Sequence, residues 1–384
     1  MPFPFLEFLM GKKRTCIVNI GRLVALSVVL AASMLQVYAA EKPDSVEKVH
    51  PTQWIKQLIG NGFHINDPEV AYPRFPRFLL NVYNWGDKTF NSYNPDYVVA
   101  TGKNWKIMGK SYNWMEFSTM MFPHNSFLTM HSDVYTDAGA YLSFMAVSIG
   151  YMFNVNEILG RPTSRHTFSL DFTCSRFSGS FVQQSSHGGM TITRFGDYNE
   201  GHTISPKFND VDIKSTTGDI YYFFNHRKYS RAAAYCYSKY QLRSAGSWIA
   251  GLSFARQSIQ MDFKNLPPDM LVSLPLPTPN YSFRYNDYTL LGGYGYNWVL
   301  KPRRWLINAT GMVAVGFKHS FEDATDGRRN LVANNFKLST SVVYNHKALF
   351  ASLQARMDGF LYYNSNFTFF NSFSTLSLNV GARF

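Results

Sequence analysis

Four charged residues lie in phase with the polar side of alternating stretches: Asp171, Arg356, Asp358 and Arg383. Acids and bases facing one another across a lumen can do one of two things. They can line a water-filled pore that selects small solutes, or they can neutralise each other as a packed network. An unpaired charge in a dry interior costs too much to persist. The chain carries 33 Phe and 24 Tyr, enough rings to fill space inside a wall as well as to girdle it. That surplus favours a filled or narrow lumen.

A second polar knot is Asn225, His226, Arg227 and Lys228. Such a run suits a hydrogen-bonded turn that fixes the register of two strands, in preference to a binding role. His166, His226 and His346 fall near strand ends, and serines are abundant, so a barrel lipid hydrolase is one conceivable enzyme. It would need Ser and His in hydrogen-bond reach and a third group to orient the imidazole, which spacing does not supply. HExxH, GxGxxG after a strand, GxSxG and CxxC are all missing. The expectation is therefore no enzymatic activity, no metal and no cofactor. Cys174 and Cys236 can form one disulfide in an oxidising compartment, but isolated cysteines on strands more often serve as small apolar residues.

These residues need elements to hold them, and the alternation supplies strands. Leu376, Leu378, Val380, Ala382 and Phe384 share one face, and Ser377, Asn379, Gly381 and Arg383 the other. Leu349, Ala351, Leu353, Ala355 and Met357 oppose Ser352, Gln354, Arg356 and Asp358. Period-two alternation of this kind marks strands with one apolar and one polar side. No apolar run of about 20 residues follows residue 39, so a mature chain that crosses a membrane must do so as a closed barrel. The reading is an all-β fold, an antiparallel transmembrane up-and-down β-barrel of 12 or 14 strands. Two weak segments near 189–197 and 218–226 fit either wall strands or a loop hairpin, which keeps both counts open, and 198–217 stands as an exception, a long connection on the short-turn side. The apolar phase switches between Trp248, Leu252, Phe254 and Ile259, Met261, Phe263, which suggests a β-bulge near Arg256.

Short turns at Lys301-Pro302-Arg303 and Asn345-His346-Lys347 alternate with long stretches at 264–284 and 318–330. That is the periplasmic-then-external rhythm of outer-membrane barrels. Upstream, residues 12–14 are basic, Leu23–Leu35 is an apolar stretch of 13 residues, and Val37-Tyr38-Ala39 offers a cleavage site. Together they form a secretory signal peptide, so the expected divisions are 1–39 signal, 40–96 periplasmic or plug segment, and 97–384 barrel. Within 40–96, Thr52–Leu58 reads as a short amphipathic helix and Pro68, Pro73 and Pro76 as punctuation of an extended linker. Charged residues make up only 16% of the chain and aromatics 17%, against about 25% charged in soluble domains. The mature region holds 33 basic and 24 acidic residues, but with no compact basic run nucleic-acid binding is not expected. The expected location is the outer membrane of a Gram-negative bacterium, with outer-membrane lipid around the wall and a small solute or surface partner undefined.

Three segments carry a resemblance: residues 81–88 (NVYNWGDK), 223–230 (FFNHRKYS) and 243–247 (RSAGS). On these the chain resembles a family of Gram-negative outer-membrane proteins, the domain of unknown function 4421, from about residue 77 to Phe384. The resemblance implies an exported β-rich barrel and supplies no catalytic residues. The terminal Phe384 on an alternating strand is similar to the signal by which such barrels address their assembly machinery. The functional expectation is an integral barrel acting as a narrow pore or carrier for small or lipidic solutes. The alternatives are a non-conducting structural or surface-interaction barrel, or a barrel lipid hydrolase.

Overall fold

A computed structural model describes residues 53–384 apart from positions 63, 91, 104, 124–125, 145–146, 159–163, 273–278, 322–329 and 364–366. The expected signal peptide, the start of the 40–96 segment and parts of the two long loops lie outside the described residues.

Strands dominate because the alternating pattern has one lipid-compatible and one polar side. They are β1 (Val98–Ala100), β2 (Trp105–Phe122), β3 (Ser126–Ser132), β4 (Tyr135–Phe144), β5 (Val147–Asn154), β6 (Ser164–Thr173), β7 (Phe177–His187), β8 (Met190–Phe195) and β9 (Lys207–Phe208). They continue as β10 (Val211–Phe223), β11 (Lys239–Gln241), β12 (Ala245–Asp262), β13 (Asn280–Lys301), β14 (Trp305–Ser320), β15 (Asn330–His346), β16 (Leu349–Tyr363) and β17 (Thr368–Arg383).

Twelve of these form the wall. From β6 the antiparallel order runs β7, β10, β12, β13, β14, β15, β16, β17, and then back to β2, β4 and β5. The last wall strand thus pairs with the first, Leu378 opposite Ser111 and Arg383 opposite Lys106. Among the described residues no ladder joins β5 to β6. β3, β8 and β9 extend one end of the wall, and β1 and β11 make a separate two-stranded sheet.

The wall is inside-out relative to a soluble protein. Leu252, Leu290, Val313 and Phe317 are 61%, 68%, 63% and 77% exposed, while Glu116, Asn308, Lys318, Ser341 and Asn371 are fully buried. Each large apolar side chain left in water forgoes roughly 1.5–3 kcal/mol, so a whole face of them is stable only against lipid. No described helix is long and apolar enough to cross a membrane. The fold is a transmembrane β-barrel, and the strand count of the wall agrees with the smaller of the two expected values.

No β-bulge exists near Arg256. β12 runs in unbroken register against β13 from Ala245–Asn297 to Asp262–Asn280. The phase switches because the surroundings of the strand change. Below Arg256 the outward residues Trp248 and Leu252 are apolar and exposed; above it the inward residues Ile259, Met261 and Phe263 are buried. β13 switches at the same level, from outward Tyr288 and Leu290 to inward Tyr281, Phe283 and Tyr285, and Arg256 faces Asn286 across the ladder. This level is where the wall leaves the lipid band.

Two other expectations change. Val211–Phe223 is a wall strand, so residues 198–210 lie at the long-loop end and the long connection at the short-turn end is 224–244. Pro73 and Pro76 open a helix over residues 74–90 instead of punctuating an extended linker. Helix α1 spans Gln53–Gly60 and α2 spans Arg74–Phe90. Pro73 precedes α2 and Pro76 sits in its first turn, where the missing N–H has no intrahelical acceptor to lose. The helices enclose a small cluster of Leu58, Ile65, Val70, Tyr72 and Leu80.

Candidate functional site

The lumen is occupied in three tiers, each built by inward residues of the wall. At the loop end the tier is aromatic. Phe283 of β13 stacks on Phe369 of β17 with ring centroids 4.7 Å apart, and Phe208 of β9 stacks on Phe263 at 5.0 Å. Met130, Ile192, Phe195 and Ile259 complete a dry core there.

Just below lies a fully buried ion pair. Lys318 Nζ of β14 donates to both oxygens of Asp287 on β13, at 2.7 and 2.9 Å, and Asn335 Nδ2 of β15 donates to Asp287 Oδ2 at 3.0 Å. The side chains are 0% and 1% exposed. The ammonium also rests 3.6 Å from the centroid of the Tyr285 ring.

The middle tier is an acid–base network. Asp219 of β10 accepts from Ser253 Oγ at 2.6 Å, Ser180 Oγ at 3.2 Å and Lys337 Nζ at 2.9 Å. Arg356 lies 3.6 Å from Asp219 and 2.8 Å from Asp358, and Lys337 lies 3.6 Å from Asp358. Two acids therefore neutralise two bases drawn from β10, β15 and β16. Of the four inward charges expected from the sequence, Arg356 and Asp358 meet in this network. Asp171 is exposed on β6 but close enough to Arg356 and Lys110 to feel their charge. Arg383 lies elsewhere, donating to Asn345 Oδ1 at 2.7 Å and packing over Phe350 near the turn end.

The third tier, at the turn end, is the connection 224–244, which turns inward. A five-residue helix, Arg231–Tyr235, starts where Ser230 Oγ accepts from the backbone N–H of Ala233. Its neighbours are pinned to the wall by polar contacts. Tyr235 OH donates to Asn308 Oδ1 at 2.8 Å, and Asn308 Nδ2 donates to Tyr229 OH at 3.1 Å. Asn297 Nδ2 donates to Ser230 O at 3.0 Å, Ser341 Oγ to Ala234 O at 2.7 Å, and Lys106 Nζ to Cys236 O at 3.0 Å. Tyr237 OH bonds Ser352 Oγ and Gln354. Anchors thus come from β2, β13, β14, β15 and β16.

The polar turn opens this segment. Asn225 closes it: its side-chain N–H₂ donates to Gly246 O at 2.7 Å, and its carbonyl accepts from Lys228 and Tyr229. Arg227 and Lys228 are exposed, and Arg227 O accepts from Asn94 N at 2.8 Å. Burial, and then the neighbouring Arg176, hold the His226 imidazole below its usual pKa. Among the described residues no serine hydroxyl hydrogen-bonds His166, His226 or His346, and no group of His, Cys, Asp or Glu is placed to hold a metal. Cys174 and Cys236 are both free thiols. Phe384 stacks along Trp105, and the two residues exchange backbone hydrogen bonds of 3.0 Å, joining the chain end to the first wall strand.

Sequence reasoning missed Asp219, Lys337, Asp287 and Lys318. A signal was present, since Asp219 is in phase with inward Ser215 and Thr217, and Lys337 with Asn335 and Ser341. In the sequence the stretch 218–226 reads only as a weak strand candidate and 318–330 as a long loop, so neither charge stands out as inward-facing.

A family model described as "Domain of unknown function (DUF4421)" matches residues 88–384. The outer membrane protease OmpT of Escherichia coli is 8% identical, with 76% of this chain and 98% of that one aligned at a TM-score of 0.32. Neisserial surface protein A is 7% identical over 73% of this chain and 97% of that one, at a TM-score of 0.22. The P. putida toluene transporter TodX is 8% identical over 73% and 90%, at 0.17. None of the curated proteins compared matches the sequence. Likeness at these levels transfers no activity.

Proposed function

The chain belongs to the family of the domain of unknown function 4421, whose description names no activity, and on that premise we propose a non-conducting integral barrel of the outer membrane. In this reading the wall is an anchor, the lumen is a structural filling, and the long-loop end is the surface offered to partners. The observation that carries it is the continuity of the filling. Aromatic core, buried ion pair, acid–base network and inturned segment follow one another along the lumen. A water-filled pore needs charges that face solvent, whereas here each base of the middle tier is held by an acid of the same tier.

The polar filling also suits a filled interior on energetic grounds. Inward charges in a lumen excluded from water are stable only when paired and hydrogen-bonded, and Asp219 has four such partners. Phe384 at the end of the closing strand supports recognition of that strand by barrel-assembly machinery. The cleaved leader of residues 1–39 belongs to the same reading, as the export route.

Planar-bilayer recording on refolded residues 40–384 tests the proposal. A fold check comes first, from the gel-mobility difference between boiled and unboiled samples. The expected record is a silent membrane. Steady unitary currents from the intact protein would overturn the non-conducting reading in favour of a narrow pore. A variant lacking Arg231–Tyr235 should stay silent as well, because the aromatic core still closes the loop end.

A further inference from the structure

The outer wall of β13–β16 carries a groove of about 750 Å³. Its floor is made of small outward residues, Ala309, Gly311, Thr340 and Ala355, and one side is built by Tyr294 and Trp298. Register aligns the floor across neighbouring strands: Ala309 faces Thr340, and Thr340 faces Ala355. The groove therefore crosses these strands at one level of the lipid-facing surface.

The same strands end in a basic rim. The β13–β14 turn presents Lys301, Arg303 and Arg304, and the β15–β16 turn presents Lys347, all exposed. The two turns are at one end of the wall, since Trp305 pairs with both Lys301 and Tyr344. Among the described residues no carboxylate pairs with these four cations. At the opposite end two exposed lysines are matched, Lys207 with Asp133 at 2.8 Å and Lys264 with Asp262 at 3.9 Å. Between rim and groove stand outward aromatics, Trp298 at 44% and Trp305 at 42% exposure, the residue type that settles at headgroup level.

The spacing fits a lipid. At about 3.3 Å per residue, Ala309 lies roughly 16 Å along β14 from Arg304. Half of a bilayer hydrocarbon core is about 15 Å. A phosphate at the rim would place an acyl chain over the groove. Resting on the membrane-spanning reading above, we propose that the groove and rim of β13–β16 form one site for an anionic phospholipid. The four unpaired cations bind the phosphate headgroup, and the small-residue floor lets an acyl chain approach the backbone. Clustered bases at a membrane surface attract anionic lipid with about fivefold preference per charge near it.

The test is native mass spectrometry of the full barrel released from vesicles of equal phosphatidylcholine and phosphatidylglycerol. Co-flotation with the vesicles and the mobility shift establish insertion beforehand. Wild type should retain phosphatidylglycerol over phosphatidylcholine by at least about fivefold. The triple variant R303Q/R304Q/K347Q should retain the two equally. Gly311→Leu has room, because a Cβ there meets only Leu338 at 3.6 Å; filling the groove should reduce retention of both lipids. Equal retention by wild type, or a preference unchanged in the triple variant, overturns the site while leaving the membrane reading intact. Dimers without bound lipid would assign the groove to a second copy and also overturn it. Failure to insert would overturn both.

Discussion

At the loop end the wall closes over stacked rings such as Phe283 on Phe369, whereas at the turn end Asn297 and Asn308 each hold an inturned segment by two hydrogen bonds. The two fillings differ in what water offers as a replacement. Apolar burial contributes roughly 25 cal/mol per Å² and has no substitute partner in solvent. A hydrogen bond nets only about 1 kcal/mol, because water competes for both groups. The loop end is therefore held by apolar burial, whereas the turn end joins a smaller apolar cluster, Ala233, Ala234 and Tyr237 against Leu306, Val343 and Phe350, to polar anchors that water can replace. Specificity of position at the turn end comes from the number of anchors, spread over five wall strands.

The comparison is broken most severely at the boundary of the dry tier. Lys318→Met leaves Asp287 buried with no base, and removing one member of a buried pair costs about 3–5 kcal/mol. The loss should appear as a lower urea midpoint for the mobility shift. Arg356→Met, in a network where Lys337 remains and the side chain is 29% exposed, should cost less than half as much. Equal losses at the two sites would erase the distinction between the fully buried pair and the partly exposed network.

A milder break is Asn308→Leu, which strands Tyr235 OH and Tyr229 OH at the turn end. The expected cost is about 1–3 kcal/mol, with no current across a planar bilayer while the loop-end core is intact. Phe283→Ala at the loop end should destabilise the barrel without opening the turn end. An Asn308→Leu barrel of unchanged stability would show that the insert is held by something other than these anchors.

The smallest effect concerns pH. His226 sits at the opening of the inturned segment with its pKa lowered, first by burial and then by Arg176. The folded state therefore disfavours the protonated ring. The stability contributed is fully present above the ordinary value of 6.5 and declines as pH falls through it towards the lowered folded value. Hydrogen exchange of residues 225–242 should quicken slightly below that pH while the loop end stays unchanged. His226→Gln should remove the dependence, and a persistent pH response in that variant would assign it to another group.

Much of the wall was legible in the chain because its code is local. Alternation in Leu376–Phe384 fixes which side of the last strand meets lipid, whatever the strand pairs with. The same holds for Leu349–Met357, and the short turns at residues 302–304 and 347–348 follow from the breaks between such runs. The switch at Arg256 misled for a physical reason. One unbroken strand passes from lipid to a water-surrounded core, and the apolar side changes without any change in backbone.

What the sequence by itself determined is the inside-out strand pattern, and through it the barrel class, because each side chain's face depends only on its immediate neighbours. What only the tertiary structure decided is who meets whom inside. Asp219 and Lys337 are 118 residues apart, as the 2.9 Å contact between them records, and Tyr237 reaches Ser352 across 115. Those meetings depend on the closure of β17 against β2 and on the register of every ladder between. A shift of one residue in any ladder would send the inward charges to the lipid face.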